Sequence, residues 1–349
     1  MKARFKKHTL NFIIPGGTSR GVLKQKTSYY LIIANNYGKV GIGEVSIISN
    51  LSIDDDEKAL EVKLTQLTEA LNQGEKISSD FFKNFPSIKF AYETALLDLQ
   101  SDQNFELYSS AFTKGEKGQK INGLIWMGSP EFMTSQIENK LNDGFSCLKL
   151  KIGAINFEEE LFILKKIRSK FSAKTLEIRV DANGAFSTGD CLEKLGKLAQ
   201  YKLHSIEQPI KQGQWNEMAE LCKKTPIPIA LDEELIGVET DIQNQLLSTI
   251  KPQYIILKPS LIGGFEVSNK WIENAAHLNI NWWLTSALES NIGLNAIAQF
   301  AFTKNNSLPQ GLGTGQLYNN NIPSPLTIKG EEIWYLPQNK WDLSILDEN

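Results

Sequence analysis

The chain has 349 residues, with 37 Lys+Arg against 40 Asp+Glu and a formal net charge of −3. That length exceeds the roughly 250–300 residues at which a single core stops growing, so one large barrel with an added domain, or two ordinary domains, is expected. The near-balanced charge argues against nucleic acid as the main partner, the 41% hydrophobic content excludes a disordered chain, and three cysteines and three histidines leave little for a disulfide framework, a zinc site or a histidine-based mechanism.

Near the N-terminus, Phe12, Ile13 and Ile14 are stopped by Pro15, Gly16 and Gly17, well short of a signal-peptide core. No stretch nears the roughly 18 apolar residues of a membrane span. Cys147, Cys191 and Cys222 are too far apart for a close ligand pair, so a reducing, cytoplasmic setting is expected. Residues 1–115 read as a mixed α+β unit. Positions 29–34 are strand formers, and Asn36, Tyr37, Gly38 and Lys39 turn the chain into a second strand over 40–44. Leu60, Leu64, Leu67 and Leu71 recur at helical spacing over 54–72, and a second helix is expected over 87–100. The polar, Gly-containing segment 113–120 reads as a linker.

Beyond it, short apolar runs alternate with amphipathic stretches. The runs lie at 121–126, 147–152, 176–180, 203–206, 227–231, 254–257 and 280–284, with a weak last one near 311–315. Helices are expected between them, among others over 157–170 and 189–200. This alternation predicts an α/β fold in which about eight βα units close a TIM-type barrel over 116–319. The tail, with Ile333, Trp334 and Tyr335, is assigned to the first unit, so that 1–115 and 320–349 belong together.

Barrel chemistry sits where strands end. Here Lys149 and Lys151, Asp181, Glu207, Asp232 and Lys258 close successive runs, each about one βα unit from the last. Strand side chains alternate faces, so Lys149 and Lys151 point one way and Leu148 and Leu150 the other. A lysine beside another cation loses proton affinity and becomes a usable general base. Three carboxylates on adjacent strands repel unless a cation lies among them, and hard oxygen donors suit Mg²⁺, with Mn²⁺ as a substitute. Taken singly, Asp181 could serve a turn and Asp232 a helix cap; the regular spacing argues for a shared site. Lys258 lies across the barrel from Lys151. Gly263 and Gly264 open a helix whose first amides could hold an anion. Ser286, Glu289 and Ser290 reach the same rim, where the serines could equally cap the next helix. Such a site suits proton abstraction α to a carboxylate, with elimination, racemisation and cycloisomerisation all open. A barrel that only binds a ligand is the non-enzymatic alternative.

The segments Lys149-Leu-Lys151, Arg179-Val-Asp181-Ala-Asn183, Ile206-Glu207-Gln-Pro209, Ala230-Leu-Asp232-Glu233, Leu257-Lys258-Pro259 and Thr285-Ser-Ala-Leu-Glu289-Ser290 resemble the enolase superfamily, in its muconate-lactonizing-enzyme-like subgroup. The likeness covers residues 120–320, and extends more weakly to a capping domain through Gly41-Ile-Gly43-Glu44. It implies a modified TIM barrel, (β/α)7β, with an α+β capping domain, and one Mg²⁺ on Asp181, Glu207 and Asp232. Gln310-Gly-Leu-Gly-Thr-Gly315 is similar to the branch that dehydrates 2-succinyl-6-hydroxy-2,4-cyclohexadiene-1-carboxylate to 2-succinylbenzoate in menaquinone biosynthesis. By that resemblance Lys151 is the base, Lys258 the cation facing it, and Lys149 the tuning neighbour. Asn183 and Arg179 become substrate or supporting contacts, and Gly263, Gly264 and Ser286 receive the succinyl end. Arg20 in the cap is either a residue that closes over the site or an ordinary surface arginine. The last-strand region lacks the Asp-x-Asp pair of the dipeptide epimerases. N-acylamino acid racemisation uses the same lysine pair and stands as the main alternative, ahead of muconate cycloisomerisation.

Overall fold

The computed structural model describes residues 1–18, 21–153 and 155–347. Arg20 lies outside the described residues, as do Ser19, Ala154 and the last two positions.

An antiparallel sheet of β1 (Lys2–Thr18), β2 (Gly21–Ala34) and β3 (Val40–Ser46) begins the chain. β1 is a strand that the reading above does not anticipate. Within its sheet it pairs with β2 at the edge, and exposed charged side chains on both of its faces, Lys2 on one and Lys7 on the other, obscure its pattern. Helices α1 (Glu57–Gln73) and α2 (Pro86–Gln100) cover one face of the sheet, where Lys7 pairs with Glu57 and Glu61 of α1. The Asp56 side chain accepts from the amides of Lys58 and Ala59 and starts α1, while Gly74 in the left-handed region ends it. Leu60, Leu64, Leu67 and Leu71 pack on Tyr29, Leu31 and Ile33 of the sheet. Helix α2 presses directly on β3: a Cβ at Gly43 would lie 1.9 Å from the carbonyl oxygen of Ala91, and one at Gly41 would lie 2.1 Å from that of Ala95.

The barrel follows. β4 (Gln119–Lys120) leads to seven parallel strands that neighbour one another in chain order: β5 (Gly123–Ile125), β6 (Cys147–Lys151), β7 (Glu177–Asp181), β8 (Ser205–Glu207), β9 (Ile229–Leu231), β10 (Tyr254–Leu257) and β11 (Asn281–Leu284). Outer helices alternate with them: α3 (Pro130–Asn142), α4 (Phe157–Lys170), α5 (Cys191–Ala199), α6 (Trp215–Lys224), α7 (Gln243–Ile250), the short α8 (Pro259–Ile262), α9 (Gly264–His277) and α10 (Asn291–Thr303). In α4, Glu158, Glu159 and Glu160 occupy the first turn and Arg168 and Lys170 the last, matching the helix dipole. Two residues close the barrel. Gln310 bridges to Ile121 on one edge and Gly311 to Thr285 on the other. The architecture is thus seven βα units and a minimal eighth strand, capped by the first sheet.

The tail divides in two. β12 (Leu326–Lys329) and β13 (Glu332–Tyr335) pair with β4 rather than with the first sheet, and bury Ile333 and Tyr335 in the barrel core. Beyond them Trp341 and Leu346 pack on Tyr30, Ile32 and Phe105, so the return to the first unit begins after the hairpin. The three cysteines are buried and unpaired by disulfides. Among the described residues, no helix is long and apolar enough to cross a membrane.

Candidate active site

Register places the polar strand ends at one height. Lys151 lies opposite Asp181, and Asp181 opposite Glu207. On β6 the leucines face the helix layer and are buried at 0–1% exposure, which turns both lysines inward. Lys149 Nζ lies 2.9 Å from Asp181 Oδ2 and 2.5 Å from Glu207 Oε2. Lys151 Nζ lies 2.6 Å from the same Asp181 oxygen and donates to Asn183 Oδ1 at 2.7 Å. From the far side, Lys258 Nζ pairs with Asp232 Oδ2 and stands 3.9 Å from Glu207 Oε1.

These charges are buried and depend on one another. Burial alone would push the Asp181 carboxyl up, but Lys149, Lys151 and Lys258 around it hold it well below the usual carboxylate range. Burial likewise works against the Lys149 ammonium, yet the charges of Asp181, Glu207 and Asp232 outweigh it and keep that lysine protonated. Asn183 also donates to Glu233 Oε1 at 2.9 Å, so it spans the base-side lysine and the acid next to Asp232.

Two groups that the sequence reading quotes without giving them a role hold this arrangement. Gln208 is fully buried; its Oε1 accepts from the amides of Asp232 and Glu234, and its Nε2 donates to Glu234 Oε2 and to the carbonyl of Ile210. Glu233 receives Asn183. Their signal in the sequence is position, each directly following a proposed ligand within a segment that carries the family resemblance.

The same three lysines line a cavity of about 290 Å³ with apolar walls from Leu124 and Trp126 of the barrel and Leu23 and Leu51 of the cap. Asp181, Glu207 and Asp232 supply only hard oxygen donors beside it, and Glu207 Oε1 has no hydrogen-bond partner. Among the described residues, no three acidic, histidine or cysteine groups converge closely enough to hold a metal as they stand. The Lys149 and Lys258 ammonium groups lie against the carboxylates instead. The donor set therefore fits a hard divalent cation in chemistry, and its oxygens are those the lysines contact.

Other predicted contacts fall elsewhere. Gly263 and Gly264 do not reach this cavity. The amides of Phe265 and Glu266, at the start of α9, are taken by the Glu93 carboxylate of cap helix α2, at 2.5 and 3.0 Å. The anion expected there is thus the protein's own side chain. Arg179 lies one layer below Asp181, opposite Lys149, and does not line the cavity. Its Nε pairs with Glu177 at 2.7 Å, Nη1 donates to the Pro309 carbonyl, and the guanidinium stacks 4.2 Å from the Trp283 ring. Ser286 does line the cavity, but its hydroxyl donates to Glu289 Oε2 and accepts from Thr314 Oγ1 and the Leu288 amide. That uses its one donor and both acceptors. Ser290 caps α10 through the amide of Ile292.

A barrel carrying acids and lysines at successive strand ends, beneath an α+β cap, is the architecture of the enolase superfamily. A family described as Enolase C-terminal domain-like matches residues 133–336. The o-succinylbenzoate synthase of Desulfotalea psychrophila is 47% identical over 95% of this chain and 98% of its own length. The crystal structure of MenC from the same organism superposes with a TM-score of 0.84 at 43% identity, covering 96% of this chain and 99% of that one. An N-succinylamino acid racemase from Amycolatopsis sp. is more distant, at 27% identity over 72% of this chain and 67% of its own. The chain belongs to the o-succinylbenzoate synthase family, lyases of the enolase superfamily.

Proposed function

We propose that this protein dehydrates 2-succinyl-6-hydroxy-2,4-cyclohexadiene-1-carboxylate to 2-succinylbenzoate, in menaquinone biosynthesis and in the cytoplasm. The observation that carries the reading is the placement of Lys151 and Lys258. They approach one cavity from opposite sides, each anchored to a different acid. Lys151 removes the proton α to the substrate carboxylate, and the same side chain then gives that proton to the departing hydroxyl, so that water leaves and the ring becomes aromatic. Asn183 and Asp181 fix the Lys151 amine in place. Lys258 supplies a cation to the opposite face of the developing enediolate. Lys149 keeps a permanent positive charge between Asp181 and Glu207.

Asp181, Glu207 and Asp232 are the residues that would hold one Mg²⁺, with Mn²⁺ as a substitute. The ion supplies fixed positive charge at the substrate carboxylate, which makes the α-proton more acidic. The apolar walls at Leu23, Leu124 and Trp126 exclude water from the reacting carbon.

Because a lysine reaches each face of the bound carbon, racemisation of N-succinylamino acids is the second reading. Incubation of the protein and Mg²⁺ with each substrate separates the two. Rapid loss of the cyclohexadiene absorbance supports dehydration. Efficient racemisation without dehydration contradicts it.

A further inference from the structure

The walls of the central cavity contain six polar side chains besides the lysines: Ser49, Asn50, Asn122, Thr285, Ser286 and Thr314. Ser49 and Asn50 are exposed at the rim. Ser286 has no hydrogen-bonding capacity left, and Thr314 spends its proton on Ser286. Asn122 and Thr285 remain. They are 4% and 8% exposed, and neither Asn122 Oδ1 nor Thr285 Oγ1 has a partner. Among the described residues the Asn122 amide makes no side-chain hydrogen bond; only its backbone is engaged, donating to the carbonyl of Gln310. Buried polar groups left uncommitted are uncommon, and they cost stability unless something else pairs with them.

The fold sets these two residues on either side of the closing strand. Asn122 lies against Gln310, and Thr285 bridges to Gly311. Thr285 packs directly on the closing strand, because a Cβ at Gly311 would come 2.5 Å from Thr285 Oγ1. Both residues line the cavity, so a ligand held in it can approach both. Asn122 Nδ2 and the Thr285 hydroxyl can each donate without charge, which matches a keto or carboxylate oxygen, while Asn122 Oδ1 can only accept.

We infer that Asn122 and Thr285 are specificity-determining residues, receiving an oxygen of the substrate's succinyl arm. This rests on the dehydration reading above and replaces Gly263, Gly264 and Ser286 in that role. A site built to hydrogen-bond a substrate group discriminates through such otherwise unpaired partners.

The test is the affinity of 2-succinylbenzoate, measured by calorimetry on the Mg²⁺-loaded protein for wild type, Asn122→Leu, Thr285→Val and Thr285→Ser. Losing one hydrogen bond of about 1–1.5 kcal/mol corresponds to a dissociation constant raised about tenfold. That is the result expected for Asn122→Leu and for Thr285→Val, with Thr285→Ser within about twofold of wild type. In turnover, KM rises in step while kcat stays within a few-fold. Product affinity unchanged in both Asn122→Leu and Thr285→Val overturns the assignment. Wild-type protein that neither binds 2-succinylbenzoate nor dehydrates the substrate overturns the underlying reading, and this inference with it.

Discussion

Lys149 and Lys151 donate to one and the same oxygen, Asp181 Oδ2, at 2.9 and 2.6 Å. Two ammonium groups on one face of a short strand thus share an anchor, but their second partners differ. Lys149 turns to Glu207 and is enclosed by acids, while Lys151 turns to Asn183 and the cavity. This division supports the roles proposed above, charge for the first and proton transfer for the second.

Replacing Lys151 by Ala should therefore lower kcat by a factor of about 10²–10⁴, the usual worth of a general base. Steady-state turnover checks this, with circular dichroism to confirm the fold. Lys258→Ala should fall in the same range. Lys149→Met should lower kcat and also destabilise the barrel, because it leaves Asp181 and Glu207 short of a buried counter-charge.

The acids should act as a set. Glu207→Gln keeps the shape of the side chain and removes its charge, and should weaken Mg²⁺ binding at least tenfold in a calorimetric titration. Chelation with EDTA should abolish turnover of the wild type, and added Mg²⁺ or Mn²⁺ should restore it.

Glu93 ties the cap to the barrel by filling the start of α9. Glu93→Ala should cost about 1–2 kcal/mol, as for loss of a helix cap, read as a lower midpoint in urea unfolding. Because Glu93 does not line the cavity, kcat should change by only a few-fold.

Asp54 gives a pH dependence outside the site. Burial pushes its carboxyl up to about 6, against the opposing effect of hydrogen bonds from the Ser87 hydroxyl and amide, and its Oδ1 has no partner. The folded state then holds a proton between pH 4 and 6 that the unfolded chain releases. The stability it contributes is complete below about pH 4, shrinks through that window and is gone above pH 6. Asp54→Asn should flatten that decline, which is on the order of 2 kcal/mol, in urea unfolding measured from pH 4 to pH 7.

Much of the centre was legible because a strand's period of two and a unit length of about 25–30 residues suffice to align polar ends. Lys149, Lys151, Asp181, Glu207, Asp232 and Lys258 all follow from that pattern. What failed depends on contacts remote in sequence. Nothing near Gly263 shows that Glu93, from another unit, fills its helix start. Arg179 shares a strand face with Asp181, but only depth in the barrel shows that it stacks on Trp283 rather than facing the cavity. Ser286 has the right chemistry at the right rim, and only its three simultaneous hydrogen bonds show it to be committed. Asn122 sits at the mouth of an apolar strand, and its lack of a partner is visible only in three dimensions.

In the proposed mechanism Lys151 performs the proton transfer of a dehydration, and the acids hold the metal independently of it. The most direct measurement combines conversion of 2-succinyl-6-hydroxy-2,4-cyclohexadiene-1-carboxylate with calorimetric Mg²⁺ binding, on wild type and Lys151→Ala. Wild type should form 2-succinylbenzoate, Lys151→Ala should form it at least about a hundredfold more slowly, and both should bind Mg²⁺. Undiminished dehydration by Lys151→Ala would contradict this mechanism.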